Sequence, residues 1–253
     1  MHTEFPEVNT ILNTIESSVL EILQDSYLGL YLFGSLAIGD FDIETSDIDL
    51  VVATHTNLQD SQIALLSQFH EKLFSFNLPL CTELECLYLS KDNLRRYVPE
   101  KTICYKIDRG DRKLVKEILD IDWKINLFSL YNYGKTLSGP PITSIVAPIS
   151  IDELKDSVLE LINFWWLPMS QNPEKLKHEG YRFYAVLTMA RMLATFDLKK
   201  IISKKEANLW SQENLDNRWK DIVLKAIERN KSCSINETQE FIIYTQNYLT
   251  KLR

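Results

Sequence analysis

Residues 30–52 read Leu30-Tyr31-Leu32-Phe33-Gly34-Ser35-Leu36-Ala37-Ile38-Gly39-Asp40-Phe41-Asp42-Ile43-Glu44-Thr45-Ser46-Asp47-Ile48-Asp49-Leu50-Val51-Val52. The pattern is a short apolar strand, a Gly-Ser pair, a polar turn, and an Asp-x-Asp that runs straight into a second apolar strand. Successive side chains on a strand point to opposite faces, so Asp47 and Asp49 share one face, with Cα atoms roughly 6.6 Å apart. Two carboxylates at that spacing can converge on a hard cation, and Mg²⁺ takes one or two carboxylates together with phosphate oxygens. Gly34 lets backbone come close to a ligand, and Ser35 offers a hydroxyl and an N–H to a phosphate. The Gly-Ser pair or the Asp-x-Asp alone says little. Their conjunction between two strands is what points to a site.

A third strand is expected over Thr82–Leu89. Glu83 and Glu85 lie two residues apart on one of its faces, and Leu84, Cys86 and Tyr88 take the other. Buried carboxylates need partners, and a bound metal is one. On the residues alone, either glutamate can act as a base toward a ligand held by Asp47 and Asp49.

The flanking sequence supplies a frame for these strands. Val8, Ile11, Leu12, Ile15, Val19, Ile22 and Leu23 follow helical spacing, as do Ile63, Leu66, Phe69, Leu73 and Phe74 in a helix expected over Asp60–Phe76, with Asp60 as its cap. Residues 111–137 read as helical, and Ser138-Gly139-Pro140-Pro141 ends that stretch. A domain boundary is therefore expected near residue 150, giving domains 1–150 and 151–253. The second reads as all helix. Leu154, Val158, Leu161, Ile162 and Trp165 form one stripe, Tyr184, Leu187 and Arg191 another, and Ser203 caps a helix that reaches Trp210. Trp165-Trp166 reads as an aromatic pair in the bundle core. The fold class is thus α+β: a mixed sheet with helices, followed by a helical bundle.

A net charge of −7 argues against non-specific nucleic-acid binding, which needs a basic face. Cys81, Cys86, Cys104 and Cys233 form no C-x-x-C pair and read as reduced thiols of a cytoplasmic protein. No export signal and no membrane span are expected.

The strand–Gly-Ser–Asp-x-Asp–strand arrangement resembles the nucleotidyltransferase superfamily related to DNA polymerase β. A closer resemblance, over nearly the whole length, is to the streptomycin/spectinomycin (aminoglycoside) adenylyltransferase family. It rests on Leu32-Phe33-Gly34-Ser35, Ser46-Asp47-Ile48-Asp49-Leu50-Val51, Leu84-Glu85-Cys86 and Ser138-Gly139-Pro140. In the second domain it rests on Ala185-Val186-Leu187-Thr188-Met189-Ala190-Arg191, Ser203-Lys204-Lys205-Glu206-Ala207 and Trp210.

The resemblance implies a nucleotidyltransferase domain, with Mg²⁺ on Asp47 and Asp49 and ATP as co-substrate. Gly34 and Ser35, with Arg191 and Lys204 of the helical domain, would bind ATP. Glu85 would be the general base, with AMP passing to a hydroxyl of a small molecule such as an aminoglycoside or aminocyclitol. The chain departs from the family at two places in its drug pocket. Thr102–Asp111 contains Tyr105 but no tryptophan, and Lys175–Tyr181 contains a single acid, Glu179. Tyr105 and Glu179 are the substrate-contact candidates there. Two alternatives share the scaffold: transfer to a protein or RNA acceptor, as in toxin–antitoxin relatives, and a non-catalytic regulatory role. The acidic charge disfavours RNA, and the retention of both aspartates disfavours the non-catalytic reading.

Overall fold

The computed structural model describes residues 2–76, 78, 80–229 and 233–253. By contacts within the chain it divides into two compact units, Met1–Ile149 and Ser150–Arg253.

In the first unit, α1 (Pro6–Leu23) buries Val8, Ile11, Leu12, Ile15, Val19 and Leu23, the stripe that the spacing predicts. Pro6 sits in its first turn, where a missing N–H costs nothing. The Asn9 side-chain oxygen accepts the N–H groups of His2 and Thr3 at 3.0 and 2.9 Å. Next come β1 (Tyr27–Leu32), the short α2 (Gly34–Ile38), β2 (Ile48–Thr54), α3 (Asp60–Phe74) and β3 (Leu84–Ser90). They are followed by α4 (Lys91–Arg95), β4 (Ile103–Ile107), β5 (Val115–Ile118), α5 (Trp123–Tyr133) and β6 (Lys135–Ser138).

The strands form one six-stranded sheet in the order β5-β4-β3-β2-β1-β6. β2 and β3 run parallel, with α3 as the crossover, and the other neighbours are antiparallel. Leu30, Leu32, Ile48, Leu50, Val52, Leu84, Cys86 and Tyr88 pack on the side of α1 and α3. Tyr31, Phe33, Val51, Ala53, Leu87 and Leu89 pack on the side of α5, against Trp123, Leu127 and Leu130. Cover on both faces explains why β2 is a continuous apolar run from Leu50 to Ala53 rather than an alternating one.

Three expectations are corrected here. The residues after Gly34-Ser35 form α2 before the polar turn begins. Gln59, not Asp60, precedes α3, and its N–H donates to Gln62 Oε1 at 3.0 Å. Residues 111–137 are not helical throughout, in one piece or two: only α5 is helix, and β5 and β6 flank it. All four residues of β5 are exposed, so no buried face imposes an alternating pattern, and Lys116 and Glu117 suit a sheet edge that must not pair further.

The second unit is helical: α6 (Ile151–Leu161), a single π turn over Ile162–Trp166, α7 (Leu167–Gln171), α8 (Glu179–Leu198), α9 (Lys204–Asn214), α10 (Asn217–Glu228) and α11 (Ile235–Lys251). Ser150, Ser203 and Ser234 cap α6, α9 and α11, each in a reciprocal box with the glutamate three residues on. The π turn inserts extra backbone and shifts the helical phase of the residues after it. The expected stripe therefore breaks at its last member: Trp165 is 41% exposed, and Trp166, at 1%, is the ring that goes inward. The four cysteines are free and buried. Among the described residues no helix is long and apolar enough to cross a membrane.

His70 of α3 is buried, with Nε2 2.7 Å from the Tyr88 hydroxyl. Burial pushes its pKa down from 6.5 to about 3. The unfolded chain therefore takes up this proton first as the pH falls. Stability is lost between pH 6.5 and about 3, at up to about 1.4 kcal/mol per pH unit. Urea midpoints measured from pH 7 to pH 4.5 are expected to fall for the wild type and to fall less steeply for His70→Gln. Equal slopes for the two proteins would contradict the assignment.

Candidate active site

One register brings the acidic residues together. β2 and β3 pair so that Ile48 meets Leu84 and Asp49 meets Glu85. Neighbouring strands lie about 4.8 Å apart, and facing residues project to the same side. The Ile48 N–H donates to the Glu83 carbonyl at 2.8 Å, which carries the pairing back to the level of Asp47. Asp47, Asp49, Glu83 and Glu85 thus gather on the α5 side of the sheet, at the end where β2 and β3 begin.

The Phe33 N–H donates to the Asp49 carbonyl at 3.1 Å, which seats the end of β1 beside the aspartates. Gly34 has φ +63°, and a Cβ at that position would overlap the Asp49 carboxylate. Only glycine leaves that carboxylate where it is. The Ser35 Oγ is buried and has no hydrogen-bond partner among the described residues.

Glu85 and Glu83 differ in their surroundings. Burial, then the negative charges of Asp47 and Asp108, push the Glu85 pKa up to about 7, and Lys106 and Arg109 only partly offset this. No hydrogen bond or ion pair engages the Glu85 carboxylate among the described residues. Glu83 is held instead: Thr82 Oγ1 donates to its Oε1 at 2.9 Å, and Arg109 Nε lies against its Oε2. A partly buried carboxylate with a raised pKa and open oxygens suits proton abstraction, and of the two glutamates Glu85 is the one so placed.

The sequence reading missed the basic side chains. Lys106 and Asp108 share the carboxylate face, Lys106 facing Leu87 in register, and Lys106 Nζ lies 2.7 Å from Asp108 Oδ2. Arg109 Nη1 lies 3.2 Å from Asp47 Oδ1. The alternation in Ile103-Cys104-Tyr105-Lys106-Ile107-Asp108 is the signal that was available. That alternation also corrects the placement expected for Tyr105. It faces Tyr88 and packs on the α1/α3 side, so the sheet separates its ring from the carboxylates.

In the second unit, Arg191 lies on α8 and its Nε donates to the Ile202 carbonyl at 3.1 Å, two residues before Lys204. Lys204 is exposed at the first position of α9. Both basic residues therefore belong to the corner between α8 and α9. Glu179 is the exposed first residue of α8, 3.9 Å from Arg182 Nη2, where a carboxylate complements the helix dipole.

Among the described residues, no group of three or more His, Cys, Asp or Glu side chains is arranged to hold a metal ion by itself. Asp47 and Asp49 offer oxygen donors only, and two carboxylates fit Mg²⁺, whose remaining ligands are phosphate and water. The orphaned Ser35 hydroxyl fits a phosphate next to them.

Two family models match the chain. Residues 13–105 match the nucleotidyltransferase domain, and residues 144–247 match the C-terminal domain of aminoglycoside adenylyltransferase. No curated protein sequence gives a match. Among solved structures, the fold is similar to that of the spectinomycin adenyltransferase AAD(9) from Enterococcus faecialis, crystallised with ATP and spectinomycin. The two are 18% identical, the match covers 96% of this chain and 99% of that one, and the TM-score is 0.73.

Gly34→Ala and Gly39→Ala separate the two demands on glycine. Both positions have positive φ, and a Cβ at Gly39 meets only open space. Gly39→Ala is expected to lose about 1 kcal/mol in urea unfolding. Gly34→Ala should lose about 1–3 kcal/mol more, because the Asp49 carboxylate must move. Equal losses would mean that Gly34 does not set the position of Asp49.

Proposed function

Taking as premise that the chain belongs to the aminoglycoside adenylyltransferase family, we propose that it moves AMP from ATP, with Mg²⁺, to a hydroxyl of a small aminoglycoside or aminocyclitol such as streptomycin or spectinomycin. The observation that carries the reading is the register that sets Asp49 opposite Glu85, beside the buried, unbonded Ser35 hydroxyl. The similar fold crystallised with ATP and spectinomycin supports the choice of substrates.

In this reading Asp47 and Asp49 would hold the cation, which would supply charge neutralisation at the phosphates. The Ser35 hydroxyl donates a hydrogen bond to a phosphate oxygen, and Gly34, by lacking a Cβ, leaves the Asp49 carboxylate in place beside it. Glu85 takes the proton from the acceptor hydroxyl, whose oxygen then attacks the α-phosphorus in line with the departing pyrophosphate. The bond to pyrophosphate breaks as the bond to the acceptor forms, and AMP ends on the acceptor with no covalent enzyme intermediate. Arg191 and Lys204 as ATP ligands, and Glu179 as an acceptor ligand, enter on the family resemblance. Tyr105 does not, because its ring faces the other side of the sheet.

The test is Mg²⁺-dependent pyrophosphate release from ATP with a panel of aminoglycosides and aminocyclitols, alongside protein and RNA acceptors. Release is expected only with a small cationic acceptor. Glu85→Gln is expected to lower kcat by about 10²–10⁴-fold while ATP binding persists. Unchanged kcat in Glu85→Gln would overturn the base assignment, and release with a protein or RNA acceptor alone would overturn the substrate class.

A further inference from the structure

Arg109 touches Asp47, one of the two carboxylates assigned to the metal. It lies in the connection after β4, and that connection is tied down at its backbone. The Gly110 N–H donates to the Thr82 carbonyl at 3.0 Å, and the Asp111 N–H donates to the Asp108 carbonyl at 2.9 Å. The side chain is half exposed and forks across two acids. Its Nε end rests on Glu83 Oε2, and Nη1 sits 3.2 Å from Asp47 Oδ1. Both carboxylate oxygens are buried, and neither contact has the alignment of a hydrogen bond. The guanidinium is therefore held there by charge more than by directed bonding.

A divalent cation ligated by Asp47 must come within about 2.1 Å of a carboxylate oxygen. A guanidinium on the same carboxylate would then face two positive charges at close range. The two cations therefore compete for that carboxylate. Glu83, with Oε1 fixed by Thr82, offers a pivot on which Nε can stay while the Nη end swings out to solvent.

We propose that Arg109 is a displaceable counter-ion of the metal carboxylates. It competes with the divalent cation for Asp47, and Glu83 anchors it rather than serving as a base. The proposal rests on the assignment of Asp47 to the metal. It gives a function to Glu83, the first glutamate of Glu83-Leu84-Glu85, and it makes the cation concentration at which the site loads a property of this loop.

The test uses Mn²⁺ alone, without nucleotide, on the full chain, with free Mn²⁺ followed by electron paramagnetic resonance. Folding of each variant is checked by circular dichroism. Arg109→Gln is expected to bind Mn²⁺ about three- to tenfold tighter than the wild type. Arg109→Lys is expected to fall between them, because a point charge cannot span both carboxylates. Lys106→Gln removes a charge from the same face without touching Asp47, and is expected to stay within about twofold of the wild type. Equal or weaker binding in Arg109→Gln overturns the proposal. So does an equal gain in Lys106→Gln, which would be a general field effect. Mn²⁺ bound by neither wild type nor Arg109→Gln overturns the metal assignment, and this proposal falls with it.

Discussion

The parallel pairing of β2 with β3 sets Asp49 opposite Glu85, and most of the first unit serves to hold that register. Parallel neighbours cannot be joined by a tight turn, so α3 must cross over between them. Its buried face, with that of α1, covers one side of the sheet, and α5 covers the other. With apolar side chains buried on both faces, a slip of one residue would exchange the two faces of the strand and bury the carboxylates in a core. The antiparallel pairing of β1 with β2 then fixes the far end of β1. The Phe33 N–H on the Asp49 carbonyl is what brings Gly34 against the Asp49 side chain.

The arrangement is electrostatically uphill. Four carboxylates meet at one end of the sheet, and burial with like charge raises the proton affinity of Glu85. The chain offsets part of this with Lys106 and Arg109. A divalent cation held by the aspartates would offset more of it, since repulsion from Asp47 comes second to burial among the causes of the rise at Glu85. Under the proposed function, fold stability and cation loading would be coupled through the same few oxygens. A site built in this way trades resting stability for charge aimed at a ligand.

Much of this was legible in the sequence, for identifiable reasons. The apolar runs of β1, β2 and β3 and the stripe of α1 have strong periodicity, and each lies within a residue or two of where the spacing puts it. Asp47, Asp49 and the two glutamates are legible because strand alternation assigns their face without any knowledge of contacts. The register that decides which glutamate meets Asp49 is a tertiary fact, and no local pattern encodes it. β5 was illegible because a fully exposed edge strand has no inside. Trp166 goes inward as expected, and Trp165 falls outside the core because a π turn changes the helical phase, which a fixed period cannot anticipate. Arg109 was missed because it sits in a connection, where side-chain direction depends on the loop and not on a period. Tyr105 was placed by family position alone, and the alternation of β4 puts its ring on the opposite face.

The most direct test of this arrangement is anomalous diffraction from crystals grown with Mn²⁺ and a non-hydrolysable ATP analogue. One or more Mn²⁺ peaks are expected on Asp47 and Asp49, with the triphosphate against Gly34 and Ser35 and the Glu85 carboxylate facing the α-phosphate. Mn²⁺ held away from the two aspartates, or a triphosphate bound away from Gly34-Ser35, would contradict it.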